Sequence, residues 1–238
     1  MRSIKPDDLV NDLLAVLPRR DRQRFLSNCE SVKLVFAEIL AEPDQRIQHV
    51  YFPIDSLISL TTQIEHCASL EVGLIGKEGM LGATVLLGVG VSPLHALVQG
   101  EGMALRMDIA AFDRELEQCL ALQLELKRYL FVEMRQLAQM VACTRFHLVE
   151  ARLARWLLMT QDRAQSEVLH VTQEFLSSML GVRRVGVTKA ASSLQKRKLI
   201  SYSRGNIRIL DRSGLEYVSC CCYEADKSSY AAVMRNPA

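Results

Sequence analysis

The chain has no apolar run approaching the roughly 18 residues that cross a membrane. Its opening, Met1-Arg2-Ser3-Ile4-Lys5-Pro6-Asp7-Asp8, turns acidic and polar too early for a secretion signal. Together these absences point to a cytoplasmic protein with reduced thiols. A nucleophile elbow, a metal trio and a carboxylate pair brought together by spacing are also missing, so the reading is that of a non-enzyme. Acid is nearly absent from one stretch. Between Thr172 and Arg208, Glu174 stands alone against Arg183, Arg184, Lys189, Lys196, Arg197, Lys198, Arg204 and Arg208. The segment carries +7 in a chain whose total is +2, which leaves −5 for the remainder. One cationic end on a near-neutral protein is the electrostatic footprint of a nucleic-acid reader.

The basic stretch also carries a specific helical pattern. Thr172 is a good N-cap, and Gln173 and Glu174 suit a first turn. Phe175, Leu176, Met179 and Leu180 form an apolar face at helical spacing. Gly181 closes that helix, because glycine enters the left-handed conformation at little cost. A second helix is expected from about Arg183 to Lys196, with Val187, Ala190, Ala191 and Leu194 recurring three or four apart. In a helix-turn-helix the second helix lies in the major groove with its N-terminal residues at base edges. Leu199 to Tyr202 and Ile207 to Leu210 then read as paired strands around Ser203-Arg204-Gly205-Asn206, which makes a wing with Arg204 at its tip. Asp211 is expected to cap a last short helix holding Leu215 and Tyr217.

Upstream, the chain changes character twice. Leu9, Leu13, Leu14, Leu17 and the stretch Arg22 to Leu26 suggest helices before about residue 28. From about Cys29 to Asp108 short apolar strands follow, among them Val32–Phe36, His49–Phe52, Leu57–Leu60, Leu70–Ile75 and Ala96–Val98. Gly73, Gly76, Gly79 and Gly82 punctuate this region and suit tight corners of a β-barrel. No Lys-Ser/Thr pair follows them, which sets a phosphate-cradling loop aside. From about Ala110 to Arg163 the pattern is helical. Leu130, Met134, Leu137, Val141 and Leu148 form one stripe, and Leu124, Phe131 and Ala138 a second. A helix apolar on two stripes can pack on its own domain and on a second copy. Leu130, Met134, Leu137 and Val141 are therefore the candidate dimer interface. The only tryptophan, Trp156, falls in a helix from Glu150 to Gln161.

The order β-barrel, long helix, winged helix resembles the CRP/FNR family of bacterial transcription regulators. The resemblance spans nearly the whole chain. It is most specific at Thr172-Gln173-Glu174-Phe175-Leu176-Ser177-Ser178-Met179-Leu180-Gly181-Val182-Arg183-Arg184, Val187-Thr188 and Leu199-Ile200, with Val50-Tyr51-Phe52-Pro53 and Gly76-Lys77-Glu78-Gly79-Met80-Leu81-Gly82 in the barrel. It implies an α+β chain with an N-terminal β-roll (cupin-like, cyclic-nucleotide-binding-like) domain over 1–110, a dimerisation helix over 111–147 and a winged helix-turn-helix over 148–238. It further implies a homodimer on a pseudo-palindromic site in double-stranded DNA, with RNA polymerase as a candidate partner. Arg184, Val185 and Thr188 are placed at bases, and Arg183, Lys189, Lys196 and Arg204 at phosphates. Two positions depart from the family pattern. Cyclic-nucleotide-binding members hold the ribose with a glutamate where this chain has Met80, and the phosphate with an Arg-Ser pair that falls near Ser92 and Pro93. A buried phosphate without a cationic partner is poorly held, so no cofactor is expected and cyclic AMP is not the expected effector. Where many members carry a glutamate after the recognition-helix arginine, this chain has Val185.

Cys29, Cys67, Cys119, Cys143 and Cys220-Cys221-Cys222 complete the inventory. None precedes Cys29, which argues against the family's iron–sulfur type. Cys143 and His147 are four apart on a helix, a spacing able to bind metal. They read as packing residues without evident partners, and neighbours in the triple are expected to point apart. His49, His66, His95 and His170 are isolated. Two alternatives stay open. One is a β-roll scaffold with a non-specific basic nucleic-acid-binding end, and the other a thiol- or metal-sensing regulator.

Overall fold

The computed structural model describes residues 11–64, 68–164 and 168–235. Leu9, His66 and Cys67 lie outside them. The chain divides into two compact units, Met1–Leu60 with Ile75–Phe131, and Thr61–Leu74 with Val132–Ala238. Among the described residues no helix is long and apolar enough to cross a membrane.

The first unit begins with α1 (Asp12–Ala15) and α2 (Arg19–Ser27). Strands β1 (Glu30–Leu34), β2 (Ile39–Ala41), β3 (His49–Pro53), β4 (Leu57–Ile64), β5 (Ala68–Ile75), β6 (His95–Gly100) and β7 (Gly102–Asp108) follow. They form two sheets of order β1-β7-β3 and β2-β6-β4-β5. In the first, Glu30 pairs with Arg106 and His49 with Asp108, both antiparallel. The chain is therefore α+β, with the expected strands present and two more, β2 and β7, that the apolar pattern alone did not mark. Leu34, Tyr51, Ile58, Ile75, Leu81, Ala96, Val98 and Ala104 fill the sheet interior. Phe25 of α2 stacks edge-on against Phe52 of β3 at 5.3 Å, and Phe112 completes the cluster at 6.2 Å from Phe52. Edge-to-face aromatic pairs of this kind add about 0.5–1.5 kcal/mol beyond area burial. Asn11 is fully buried and caps α1, while its Nδ2 donates to the carbonyls of Pro53 and Gly79.

The glycine series divides by position. Gly82 has φ +95° and makes a corner, whereas Gly73 lies inside strand β5 and makes none. At Gly79 a Cβ would come within 3 Å of the Tyr129 ring carbons, so the residue is small because α4 packs against it.

Helices α3 (Ile109–Gln118) and α4 (Leu120–Phe146) replace the single long helix expected over 111–147. The break is Cys119, whose extended backbone interrupts the helix. Along α4, Leu122, Leu126, Tyr129, Val132 and Cys143 are buried. Phe131, Met134, Leu137 and Val141 are exposed, Met134 at 69% and Val141 at 71%. Leu130 is half-buried, so it stands off this exposed stripe and Phe131 takes its place. The two stripes seen in the sequence thus merge at Phe131, Met134, Ala138 and Val141, spaced by threes and fours.

The second unit has α5 (Val149–Arg163), β8 (Val168–His170), α6 (Gln173–Leu180), α7 (Arg184–Lys196), β9 (Ile200–Ser203), β10 (Asn206–Ile209), α8 (Arg212–Val218) and α9 (Cys222–Tyr230). The helix capped by Asp211 is α8, and it is not the last, since α9 follows it. Leu153, Trp156, Leu157, Leu176, Leu180, Val187, Leu194 and Ile207 form one buried core. Each such side chain contributes about 1.5–3 kcal/mol relative to exposure. Glu71, also in this unit, is buried and accepts from Trp156 Nε1 at 2.8 Å.

Candidate nucleic-acid interface

The two helices of the reader are fixed by local chemistry at their junction. Thr172 Oγ1 accepts from the Phe175 amide at 3.1 Å and starts α6. Gly181, at φ +60°, ends it. The Val182 amide bonds the Ser177 carbonyl at 3.0 Å and the Gly181 amide the Ser178 carbonyl at 3.1 Å. This is the Schellman pair that reverses a helix in one residue. A Cβ on Gly181 would approach Leu70 Cδ1 to 2.9 Å as well as strain the backbone.

Helix α7 then buries Val187, Ala190, Ala191 and Leu194 and leaves its other face outward. Arg183 occupies the N-cap without a side-chain bond, so the first-turn amides have no side-chain acceptor there. Arg183, Arg184, Val185, Thr188, Lys189 and Lys196 are all exposed. Val185 is 60% exposed on the first turn of α7. Thr188 Oγ1 lies 2.8 Å from Gln173 Oε1 and 3.0 Å from the Arg184 carbonyl. Gln173 was not marked as a site residue in the sequence. Its role shows only when the two helices are packed.

The wing is a three-stranded sheet of order β8-β10-β9. Strand β8 is an addition to the expected hairpin. Its two-residue turn is Arg204-Gly205, with φ of +50° and +78°, the primed turn that matches strand twist. Arg204 is exposed at the tip. His170 Nδ1 lies 2.5 Å from Asn206 Oδ1 and ties β8 to the turn.

Charge on this face is largely uncommitted. Among the described residues Arg183, Arg184, Lys189, Lys196 and Arg204 have no carboxylate within ion-pair distance. Arg197 is different, since its Nη1 is 3.3 Å from Glu150 Oε1. Its share of the +7 is therefore partly neutralised within the protein. Lys198, at φ +58° just beyond α7, adds an exposed cation that the sequence reading left outside the interface.

Residues 151–218 match the Crp-like helix-turn-helix domain. The reader is a Crp-like helix-turn-helix domain. With the sheet domain and long helix before it included, the chain resembles solved CRP/FNR-family regulators in fold. FixK2 of Bradyrhizobium japonicum superposes with a TM-score of 0.68 at 13% identity, over 81% of this chain and 98% of that one. The c-di-GMP-responsive global regulator CLP of Xanthomonas campestris gives 0.66 at 13% identity, over 81% and 99%. A CRP/FNR-family transcriptional regulator from Thermus thermophilus gives 0.60 at 20% identity, over 80% and 98%. At these identities the likeness is one of fold. No curated protein matches the chain in sequence.

Two further places in the chain bear on ligands. At the position the family resemblance assigns to a ribose-holding glutamate, Met80 is fully buried. Ser92 donates its hydroxyl to the Leu94 carbonyl at 2.7 Å. The second site corrects the sequence reading of the cysteines. Cys143 and His147 do have partners, because Cys220 and Cys222 turn toward them. All four ligand-type atoms lie within 4.8 Å of one another. Cys220 and Cys222 are two apart, with Cys221, the N-cap of α9, between them, so they converge where immediate neighbours would diverge. The signal available in the sequence was Cys-x-Cys at a helix start, which spacing alone could not connect to residue 143.

Proposed function

We propose that the chain is a cytoplasmic transcription regulator that binds a pseudo-palindromic DNA site as a homodimer. The observation that carries this reading is the outward face of α7, where uncommitted cations surround the N-terminal turn of a Crp-like recognition helix. Arg184 is suited to the O6/N7 edge of guanine, and Val185 and the Thr188 methyl to thymine methyl groups. Arg183, Lys189 and Lys196 grip phosphate, aided by the open amides at the start of α7. Arg204 and the Gly205 amide reach phosphate from the wing. The exposed stripe of Phe131, Met134, Leu137 and Val141 on α4, flanked by half-buried Leu130, pairs with a second copy. Its exposure and helical spacing support that use. RNA polymerase is the further partner such a regulator engages when it activates.

Cyclic AMP is not the effector in this reading. Met80 replaces the carboxylate that would hold a ribose, and no lysine or arginine lies between Lys77 and Arg106. The α7 geometry favours sequence-specific duplex reading over a scaffold with a non-specific basic end, because groove-reading helices suit B-form DNA.

The test is selection of genomic fragments by the purified full chain at physiological salt, followed by sequencing. The expected product is an inverted repeat with half-sites about one helical turn, near 34 Å, apart. Enrichment of fragments without any shared motif would overturn specific reading, and enrichment of single half-sites would overturn the dimer.

A further inference from the structure

Three thiols and an imidazole that the DNA-binding reading leaves unused meet at one point in the second unit. Cys143 comes from the last turn of α4 and His147 from the residue just beyond it, and Cys220 and Cys222 come from the entry to α9. Cys143 Sγ is 3.5 Å from Cys220 Sγ, and Cys222 Sγ is 3.5 Å from His147 Nδ1. We propose that these four residues form a Cys3His site for a single Zn2+ ion.

Geometry is the first argument. A tetrahedral zinc with bonds of about 2.3 Å to sulfur and 2.0–2.1 Å to nitrogen sets its ligands about 3.8 Å (S to S) and 3.5 Å (S to N) apart. The two separations above lie within a few tenths of an ångström of those edges, and all four atoms fall inside 4.8 Å. Ligands this close surround one ion and leave no room for the several metal atoms of an iron–sulfur cluster. The tetrad is closed, with the three sulfurs buried and His147 half-buried, as in structural zinc sites. A disulfide needs about 2.05 Å between sulfurs, and Cys143 and Cys220 are both free thiols.

The surroundings are the second argument. Buried cysteines that merely fill space behave as small apolar side chains. Here donors face the sulfurs instead. Gln139 Nε2 donates to Cys222 Sγ at 2.9 Å, and Arg155 Nη1 points at Cys143 Sγ from 3.7 Å. Donors aimed at sulfur hold thiolates, the form that coordinates metal. On binding, the three thiols release three protons to solvent, and the neutral imidazole contributes its nitrogen lone pair. Three thiolates and Zn2+ leave a net −1 at the site, and the adjacent Arg155 cation offsets it. Soft thiolate and imidazole donors in a tetrahedral set select zinc over magnesium or calcium. Cys221 Sγ is 3.8 Å from His147 Nε2 but exposed, and stands outside the tetrad.

The experiment loads the reduced full chain with Co2+ and with Zn2+ after chelator treatment. Expected are about one metal ion per chain and a cobalt spectrum with sulfur-to-metal charge-transfer and tetrahedral ligand-field bands. Cys220→Ser and His147→Ala should weaken Zn2+ more than about 100-fold in competition with a chromophoric chelator, and Gln139→Leu about 10- to 100-fold. Cys221→Ser and Cys119→Ser should leave affinity unchanged. Far-ultraviolet circular dichroism of each variant separates lost ligation from lost folding. Failure of the folded parent to bind, an octahedral cobalt spectrum, or equal affinity in Cys220→Ser would overturn the site. So would stoichiometric conversion of Cys143 and Cys220 to a disulfide that zinc does not prevent.

Discussion

Removing one carboxylate should test how the second unit is held together. Arg155 of α5 and Asp226 of α9 meet at 2.6 Å, with side chains 5% and 9% exposed. The guanidinium has few other strong partners. Its Nη1 contacts are Met140 Sδ and Cys143 Sγ, both at 3.7 Å, and its Nε is buried without a partner. Burial works against this cation, yet Asp226 and the nearby sulfurs keep its pKa above the ordinary arginine value. Asp226→Asn preserves shape and deletes the charge, so it strands a buried cation. Breaking a buried pair in this way costs about 3–5 kcal/mol. For a unit of this size that is a fall in melting temperature of at least about 10 °C. The double variant Arg155→Met/Asp226→Leu removes both charges and should unfold within about 1 kcal/mol of the parent. Trp156 is the only tryptophan and lies in the same core. Urea unfolding followed by its emission, with a chelator present, therefore reports on this unit alone. A cost below about 1 kcal/mol for Asp226→Asn would mean that water reaches the pair. A double variant as damaged as the single would show that the pair makes no coupled contribution.

Arg184→Ala should lose about 1–3 kcal/mol on the selected site and relax one base position, whereas Lys196→Ala should weaken all sequences alike and lower the salt slope by about 1; uniform loss for Arg184→Ala, measured by fluorescence anisotropy, would remove it from the bases. If the chain pairs through α4 as proposed, Met134→Glu should leave it monomeric in sedimentation velocity at micromolar concentration, because it places a charge in the α4 stripe; a variant that still dimerises would place the interface elsewhere. Gly181→Ala should cost more than about 1 kcal/mol from its left-handed backbone and the approach to Leu70, and a neutral result in thermal unfolding would contradict the turn geometry. Burial, and then the Glu115 charge, push the Cys29 thiol up to about 12. Since only the thiolate reacts, iodoacetamide at about pH 8 should label exposed Cys221 and spare Cys29, as read by peptide mass spectrometry.

The reader was legible because its determinants are local. Thr172, Gly181, the 187-190-191-194 face and the Arg204-Gly205 turn each act within a few residues, so a pattern fixes them before any tertiary contact forms. The sheet domain was legible only as a set of short strands. Strand β7 (Gly-Met-Ala-Leu-Arg-Met-Asp) and three-residue β2 are made by pairing rather than by alternation. On α4 the faces were blurred because Leu130 and Phe131 are consecutive and about 100° apart, and packing alone decided which became exposed. The Cys143 and Cys220 convergence spans 77 residues. Nothing in either segment announces the other.

The two units exchange chain at Leu60/Thr61, Leu74/Ile75 and Phe131/Val132. Those crossings fall inside β4, β5 and α4, none of them in a loop. Domain boundaries ordinarily run through slack, polar linkers that let each half move and fold alone. Here every crossing is a stiff rod. The same wiring governs how the protein can be dissected. A fragment starting at Val132 would hold the whole helix-turn-helix yet leave Trp156 Nε1 without Glu71, so a faithful reader must keep the Thr61–Leu74 segment as well.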